Sequence, residues 1–217
     1  MSKLNGGDVS LISDEFKSVY MGLAKHVSTM KNSCYSRKIG TVIVDPVVNK
    51  VLSIGWNGPP RKFPSPDSYE YLREYFWPQL TEEEKGLAWD AQKFVDKCVR
   101  PTNDHGAQEG HATWFSEKMD GCKTCPRRLV NAGSGERSEL CPCVHSEINA
   151  IINAGCPLNG SVLFCYADIG PCQACAVAIM QAQISECYFL KGKEKYHSNA
   201  IKMMERVGIK YFEVDLV

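Results

Sequence analysis

Cys141-Pro142-Cys143-Val144-His145-Ser146-Glu147-Ile148-Asn149-Ala150-Ile151 and, further on, Pro171-Cys172-Gln173-Ala174-Cys175 are the two stretches on which the reading of this chain turns. Cys172 and Cys175 stand three apart, so on a helix they share one face and can grip one ion. Pro171 suits the first turn of that helix, where a missing N–H costs nothing. Residues Ala176 to Ala182 continue it with good helix formers, and His145 to Ala154 reads as a second helix, apolar at Ile148, Ile151 and Ile152.

Two residues along a helix are about 200° apart, so His145 and Glu147 cannot share a lateral face. They converge only if the reacting centre lies near the helix N-terminus. The expectation is therefore two helix N-termini aimed at one metal, with their partial positive charge lowering the pKa of the thiolates. One imidazole and two thiolates leave the fourth tetrahedral position for water, the arrangement of a catalytic zinc site; a structural one is closed by four ligands. Two thiolates cancel the ion's formal charge and weaken its acidification of water, so Glu147 is needed as proton acceptor. The competing readings of Cys172 and Cys175 are a closed structural site and a redox pair. A lone C-x-x-C would favour those; His-x-Glu and the alternating segments around it favour catalytic zinc.

The chain has 217 residues, enough for one well-packed domain carrying a large insertion. Lys plus Arg is 25 and Asp plus Glu is 25. That balance argues against affinity built on neutralising many phosphates. No apolar run approaches the ~20 residues needed to span a bilayer, and the N-terminus lacks the charged and apolar regions of a signal peptide. The 11 cysteines are odd in number and several fall in C-x-x-C or C-x-C spacings, which reads as metal-bound thiolates in a reducing cytoplasm.

Ser13-Asp14-Glu15 offers caps for a helix through Phe16, Val19, Tyr20, Leu23, Ala24 and Val27, all read as core. Ile39 to Val44 and Val51 to Trp56 are β-rich runs separated by Asp45-Pro46 and Asn49-Lys50, the pattern of a hairpin. Trp56-Asn57-Gly58-Pro59-Pro60 leads out as a turn, from which Asn57 could direct its amide at a sugar or base edge. After the catalytic helix, Ser161 to Tyr166 and Glu186 to Leu190 read as strands, Ser198 to Val207 as a helix and Ile209 to Val214 as a last strand. Strands alternating with helices predict an α/β layer with parallel pairs. Lys191, Lys193, Lys195 and His197 form a basic loop, read as a solvated surface ahead of a phosphate site.

Residues 61–140 change character and are read as an insertion on the core fold. Tyr69 to Trp77 is aromatic and helical in pattern, Thr81-Glu82-Glu83-Glu84 signals a helix start, and a helix follows through Leu87, Ala88, Phe94 and Val95. Acidic residues slightly outnumber basic ones here, which points to no nucleic-acid arm. The aromatic cluster of Tyr69, Tyr71, Tyr75, Phe76 and Trp77 is assigned to core or subunit packing ahead of base stacking. Cys122 and Cys125, with Cys141 and Cys143, could close a second, structural zinc site, with His111 or His105 as substitutes. Buried thiols without metal are the alternative.

These residues carry a resemblance. H-x-E…P-C-x-x-C is the signature of zinc nucleobase deaminases, and the chain resembles the deoxycytidylate deaminases of the cytidine-deaminase superfamily, in a version similar to bacteriophage enzymes. The likeness covers about residues 10–60 and 141–215, including Cys34, Ser36, Gly40 and Trp56-Asn57-Gly58. It implies a three-layer α/β/α fold with a mixed five-stranded sheet and helices on both faces, one deaminase domain over 1–217 with the insertion at about 61–140. It implies zinc on His145, Cys172 and Cys175, and Glu147 as the proton shuttle. Asn57 matches the substrate-contacting Asn and Ser36 a position near the nucleotide phosphate. Two departures adjoin the pocket: Ser146 stands where Ala is usual, and one residue is added within Tyr166 to Gly170.

The resemblance implies hydrolysis of deoxycytidylate (dCMP) to deoxyuridylate (dUMP) with loss of ammonia, homo-hexamers, and regulation by dCTP and dTTP. One rival keeps the chemistry and changes the substrate to dCTP, a modified cytosine nucleotide, a free nucleoside or a nucleic-acid base. Neutral charge and the lack of an aromatic–basic stripe disfavour polynucleotides. A second rival is a zinc-stabilised interaction protein that has lost its chemistry; the intact Glu147 speaks against it.

Overall fold

A computed structural model describes residues 10–30, 34, 37–66, 71–88, 125–133, 136–192 and 198–215. The chain divides into two compact units, one of residues 1–31, 39–57 and 145–217, the other of 32–38 and 58–144.

The first unit is built on strands β1 (Gly40–Asp45), β2 (Lys50–Trp56), β3 (Val162–Cys165), β4 (Glu186–Leu190) and β5 (Lys210–Val214), ordered β2-β1-β3-β4-β5. β1 pairs antiparallel with both β2 and β3, while β3–β4 and β4–β5 are parallel. The sheet is therefore mixed, as expected. A short turn joins β1 to β2, held by Asp45 Oδ1, which accepts from Val47 N at 2.8 Å.

The apolar runs of β1, β3 and β4 are buried on both faces, and their alternation splits them between two cores. Val42, Val44, Val162, Phe164, Tyr188 and Leu190 pack beneath helix α1 (Asp14–Met30), against Tyr20, Met21, Ala24 and Val27. Ile43, Leu163, Cys165, Cys187 and Phe189 face the other way. There they meet Ala150 of α2 (Ser146–Asn153), Ala176 and Ile179 of α3 (Gln173–Gln181), and Ala200 and Met204 of α4 (Ser198–Arg206). One helix on one face and three on the other make the three-layer sandwich. Buried Glu186 at the head of β4 is satisfied by Leu11 N at 3.0 Å and by the Tyr188 hydroxyl at 2.9 Å.

One apolar expectation needs correction, and one apolar side chain lies off the buried stripe. Phe16 and Val19 are exposed, because α1 buries only the stripe through Tyr20, Ala24 and Val27; Phe16 stacks on Tyr20 at its flank. Ile152 is 68% exposed, because the buried stripe of α2 is Ser146, Glu147 and Ala150.

Small residues let α2 lie close to the sheet. A Cβ on Gly55 would stand 2.2 Å from Ser146 O and 2.4 Å from Ala150 N, both backbone atoms. Beside it, Ser53 Oγ donates to Ala150 O at 2.6 Å. Gly55→Ala is expected to force α2 off β2 and lower stability by about 1–3 kcal/mol, the usual cost of overpacking. Urea unfolding checks this; an unchanged midpoint would mean that the contact is not constraining.

In the second unit, Tyr71, Phe76, Leu80, Ala88, Leu129, Val130 and Leu140 form a separate core. Tyr71 and Phe76 take the packing role expected of the aromatic cluster, with the Tyr71 hydroxyl donating to Leu140 O at 2.8 Å. Residues 72–76, within the stretch expected to be helical, wind as a π-helix. The Thr81 signal holds as a capping box: Thr81 N donates to Glu84 Oε2 at 2.8 Å and Glu84 N to Thr81 Oγ1 at 3.2 Å. Phe94, Val95, Tyr69 and most of the basic loop at 191–197 lie outside the described residues. Among the described residues no helix is long and apolar enough to cross a membrane.

Candidate metal centre

His145 and Cys172 are the N-caps of α2 and α3, with extended backbones at φ −68°, ψ 152° and φ −69°, ψ 167°. Each carbonyl accepts the first helical bond, Asn149 N to His145 O and Ala176 N to Cys172 O, both at 2.9 Å. Pro171 thus lies before the cap, one residue outside the turn expected for it, because an N-cap needs β-region dihedrals and the helix begins after it. The side chains of both caps reach across to the other helix end.

His145 Nδ1 lies 3.4 Å from Cys172 Sγ and 3.4 Å from Cys175 Sγ, and the two sulfurs are 3.5 Å apart. Zinc bonds of about 2.0 Å to nitrogen and 2.3 Å to sulfur at tetrahedral angles put donors about 3.5–3.8 Å apart. The donor set and its spacing fit zinc. Among the described residues these are the only three that bring ligand atoms within 4.8 Å of one another. The Cys172 thiol is held down to about 3, chiefly by the hydrogen bond from Cys175 and, against the cost of burial, by His145. Cys175 is pushed up by that same bond, by burial and by the nearby Glu147 charge.

Glu147, only 4% exposed, is the second residue of α2. Its Oε2 accepts from Ser146 Oγ at 3.0 Å, and Ser146 Oγ lies 2.8 Å from Thr41 Oγ1. Thr41 Oγ1 is also 3.4 Å from Cys165 Sγ, its cross-strand partner in β1–β3. Burial and then the Glu147 charge push the Cys165 thiol well up, so that sulfur stays protonated. Asn57, buried at the end of β2, accepts from Ser146 N through Oδ1 at 2.8 Å, while Asn149 Nδ2 donates to Trp56 O at 2.8 Å. The strand end and the helix start are thereby locked together.

Asn57 thus has a clamping role that its motif did not suggest, and Thr41 and Cys165 carry no local signal at all. Ser36 lies outside the described residues, as do Cys122, His105 and His111. In the second unit Cys141 and Cys143 bond through their side chains, Cys34 joins Cys143, and Cys125 is close enough to act on Cys141. Cys141 is held down to about 7, chiefly by the bond from Cys143. Cys34 was not among the expected donors; it lies too far back in the chain for any spacing rule to include it.

Two helix ends over a mixed sheet bring together a His-Cys-Cys set, beside a buried carboxylate, whose three donors fit zinc. The family model for the cytidine and deoxycytidylate deaminase zinc-binding region matches residues 14–191. The chain belongs to that family. It is 34% identical over 102 residues to the deoxycytidylate deaminase of Mycobacterium phage D29, covering 44% of this chain and 72% of the phage protein. It is 33% identical over 85 residues to the deoxycytidylate deaminase of Saccharomyces cerevisiae, covering 39% of this chain. The chain spans only 26% of the length of that yeast relative. The dCMP deaminase of cyanophage S-TIM5, solved with dCMP and dUMP, superposes with a TM-score of 0.51 at 19% identity, over 94% of this chain and 99% of that one. At that identity the likeness speaks for the fold.

Proposed function

We propose that this chain is a cytoplasmic, zinc-dependent enzyme that hydrolyses dCMP to dUMP and ammonia, as one deaminase domain carrying an insertion. The observation that carries the reading is Glu147, buried two residues from the ligand His145 at the same helix end. A purely structural site has no use for that carboxylate. The phage and yeast relatives, named as deoxycytidylate deaminases, support the choice of nucleotide.

Zinc held by His145, Cys172 and Cys175 would supply the Lewis acidity that makes water a nucleophile near neutral pH. Glu147 takes a proton from that water and delivers it to ring N3 as the oxygen adds to C4. It then moves the second water proton to the exocyclic amine, which leaves as ammonia, so one water is consumed and the N3 proton stays on the product. Asn57 steadies the start of α2 through Ser146 N, and contact with the nucleotide through the same side chain is part of the proposal, as is Ser36 near the phosphate.

The proposal extends to a homo-oligomer that responds to dCTP and dTTP, on the strength of the resemblance. It also includes a second zinc on Cys125, Cys141 and Cys143, with Cys122 or His111. The approach of Cys34 to Cys143 supports it and adds a donor.

The test is ammonia release by zinc-loaded protein from dCMP, dCTP, deoxycytidine and a cytosine oligonucleotide, with and without added dCTP or dTTP. dCMP is expected to give the highest kcat/KM, by at least about tenfold, the scale of one well-placed group. Preference for another compound would reassign the substrate, and no ammonia from any of them would leave an interaction protein.

A further inference from the structure

Ser146 is fully buried, as is Thr41, and a buried hydroxyl costs free energy unless its bonding is met. The first residue of a helix commonly offers its side chain to a backbone N–H or to water. Here every contact of Ser146 Oγ runs sideways or inward: Glu147 Oε2 at 3.0 Å, Thr41 Oγ1 at 2.8 Å and Cys165 Sγ at 4.0 Å. A hydroxyl has one proton. Ser146 gives its proton to the carboxylate and therefore accepts in the 2.8 Å bond from Thr41, whose single proton favours that oxygen over the more distant Cys165 Sγ at 3.4 Å.

We propose that Ser146 and Thr41 are positioning residues for Glu147, a two-hydroxyl chain that ties down Oε2 and leaves Oε1 as the oxygen that carries protons. The inference rests on the reading of Glu147 as the proton shuttle. Thr41 is rooted in β1, opposite Cys165 of β3, and Ser146 is clamped at its own N–H by Asn57 Oδ1 at 2.8 Å. The chain of hydroxyls thus begins on an interior strand of the sheet and ends on the carboxylate. A carboxylate anchored at one oxygen has lost rotation about its last bond, so the other oxygen meets ring N3 and then the amine without searching. Where Ala occupies position 146, this restraint cannot exist. The chain carries its own solution to aiming the shuttle.

The test uses the zinc-loaded full chain with four variants and a reference, measured with the preferred cytosine substrate. Ser146→Ala is expected to lower kcat about tenfold, the scale of one hydrogen bond to a charged group, with KM changed less than about twofold and zinc content unchanged. Thr41→Val should lower kcat less, about threefold, and Thr41→Ser should restore it, since only the hydroxyl matters. Because Thr41 acts through Ser146, adding Thr41→Val to Ser146→Ala should cost nothing more in kcat. Full kcat in folded, zinc-loaded Ser146→Ala, or losses from the two positions that multiply, would overturn the proposal. Should Ser146→Ala fail to fold, the Thr41→Val and Thr41→Ser pair decides alone: equal kcat in the two overturns it. Glu147→Gln separates the two levels. If that variant is inactive while Ser146→Ala is fully active, only the positioning role fails; if Glu147→Gln still turns over, the shuttle reading fails first.

Discussion

Glu147→Gln is expected to keep its zinc and lose turnover by at least about 10³-fold. Gln matches Glu in size and can still accept from Ser146 Oγ, so the packing beneath α2 should survive. It cannot take a proton at neutral pH, and the proposed reaction needs the group at 147 to accept and deliver protons twice. General acid–base catalysis by a placed side chain is worth about 10²–10⁴-fold per role. One residue serving both halves of the reaction therefore belongs at the upper end, about 4 kcal/mol or more of barrier. The measurement is ammonia release per zinc-loaded chain, with metal content determined on the same sample. Turnover within tenfold of the parent protein would remove Glu147 from the mechanism.

Cys175→Ala is expected to bind one zinc equivalent fewer per chain than the parent and to be inactive. Removing Cys175 leaves an imidazole and one thiolate, and two ligands do not define a tetrahedral site. The same pair predicts how binding depends on pH. The Cys172 thiol is held down to about 3, whereas the Cys175 thiol is pushed up by the bond between them and by burial. Metal binding must therefore displace at least the Cys175 proton, and lowering the pH opposes it. Apparent affinity should fall by about tenfold per pH unit for each proton displaced. Competition with a chromophoric chelator between pH 6 and 8 checks the slope. An affinity that stays level across that range would mean that both sulfurs are already ionised in the apo protein.

The half of the fold that carries the His-Cys-Cys set was legible because its signals are local. Cys172 and Cys175 sit within one helical turn, and His145 and Glu147 within two residues, so their chemistry follows from short-range geometry. The two-residue spacing even required that the centre lie at a helix end, and His145 and Cys172 are N-caps, with Cys175 in the first turn after the second of them. The strands were equally readable, since apolar runs such as Val162-Leu163-Phe164-Cys165 and Glu186-Cys187-Tyr188-Phe189-Leu190 have few other places to go than the middle of a sheet. The errors lay where an apolar side chain has a choice of faces. Phe16 and Val19 look like core in the sequence and are exposed, because helix burial depends on what the helix meets.

The sequence by itself pointed to the His145, Cys172 and Cys175 donor set, to Glu147 at the same helix end and to the α/β class, since each depends on residue type and on spacings of a few residues. Only the tertiary structure decided what holds the carboxylate. Thr41, Ser146 and Cys165 come from three elements spread along more than half the chain, and the β1–β3 register together with the closeness of α2 to Gly55 brings them within bonding distance. Such bonds reach across the sheet, and no periodicity in a single segment records them.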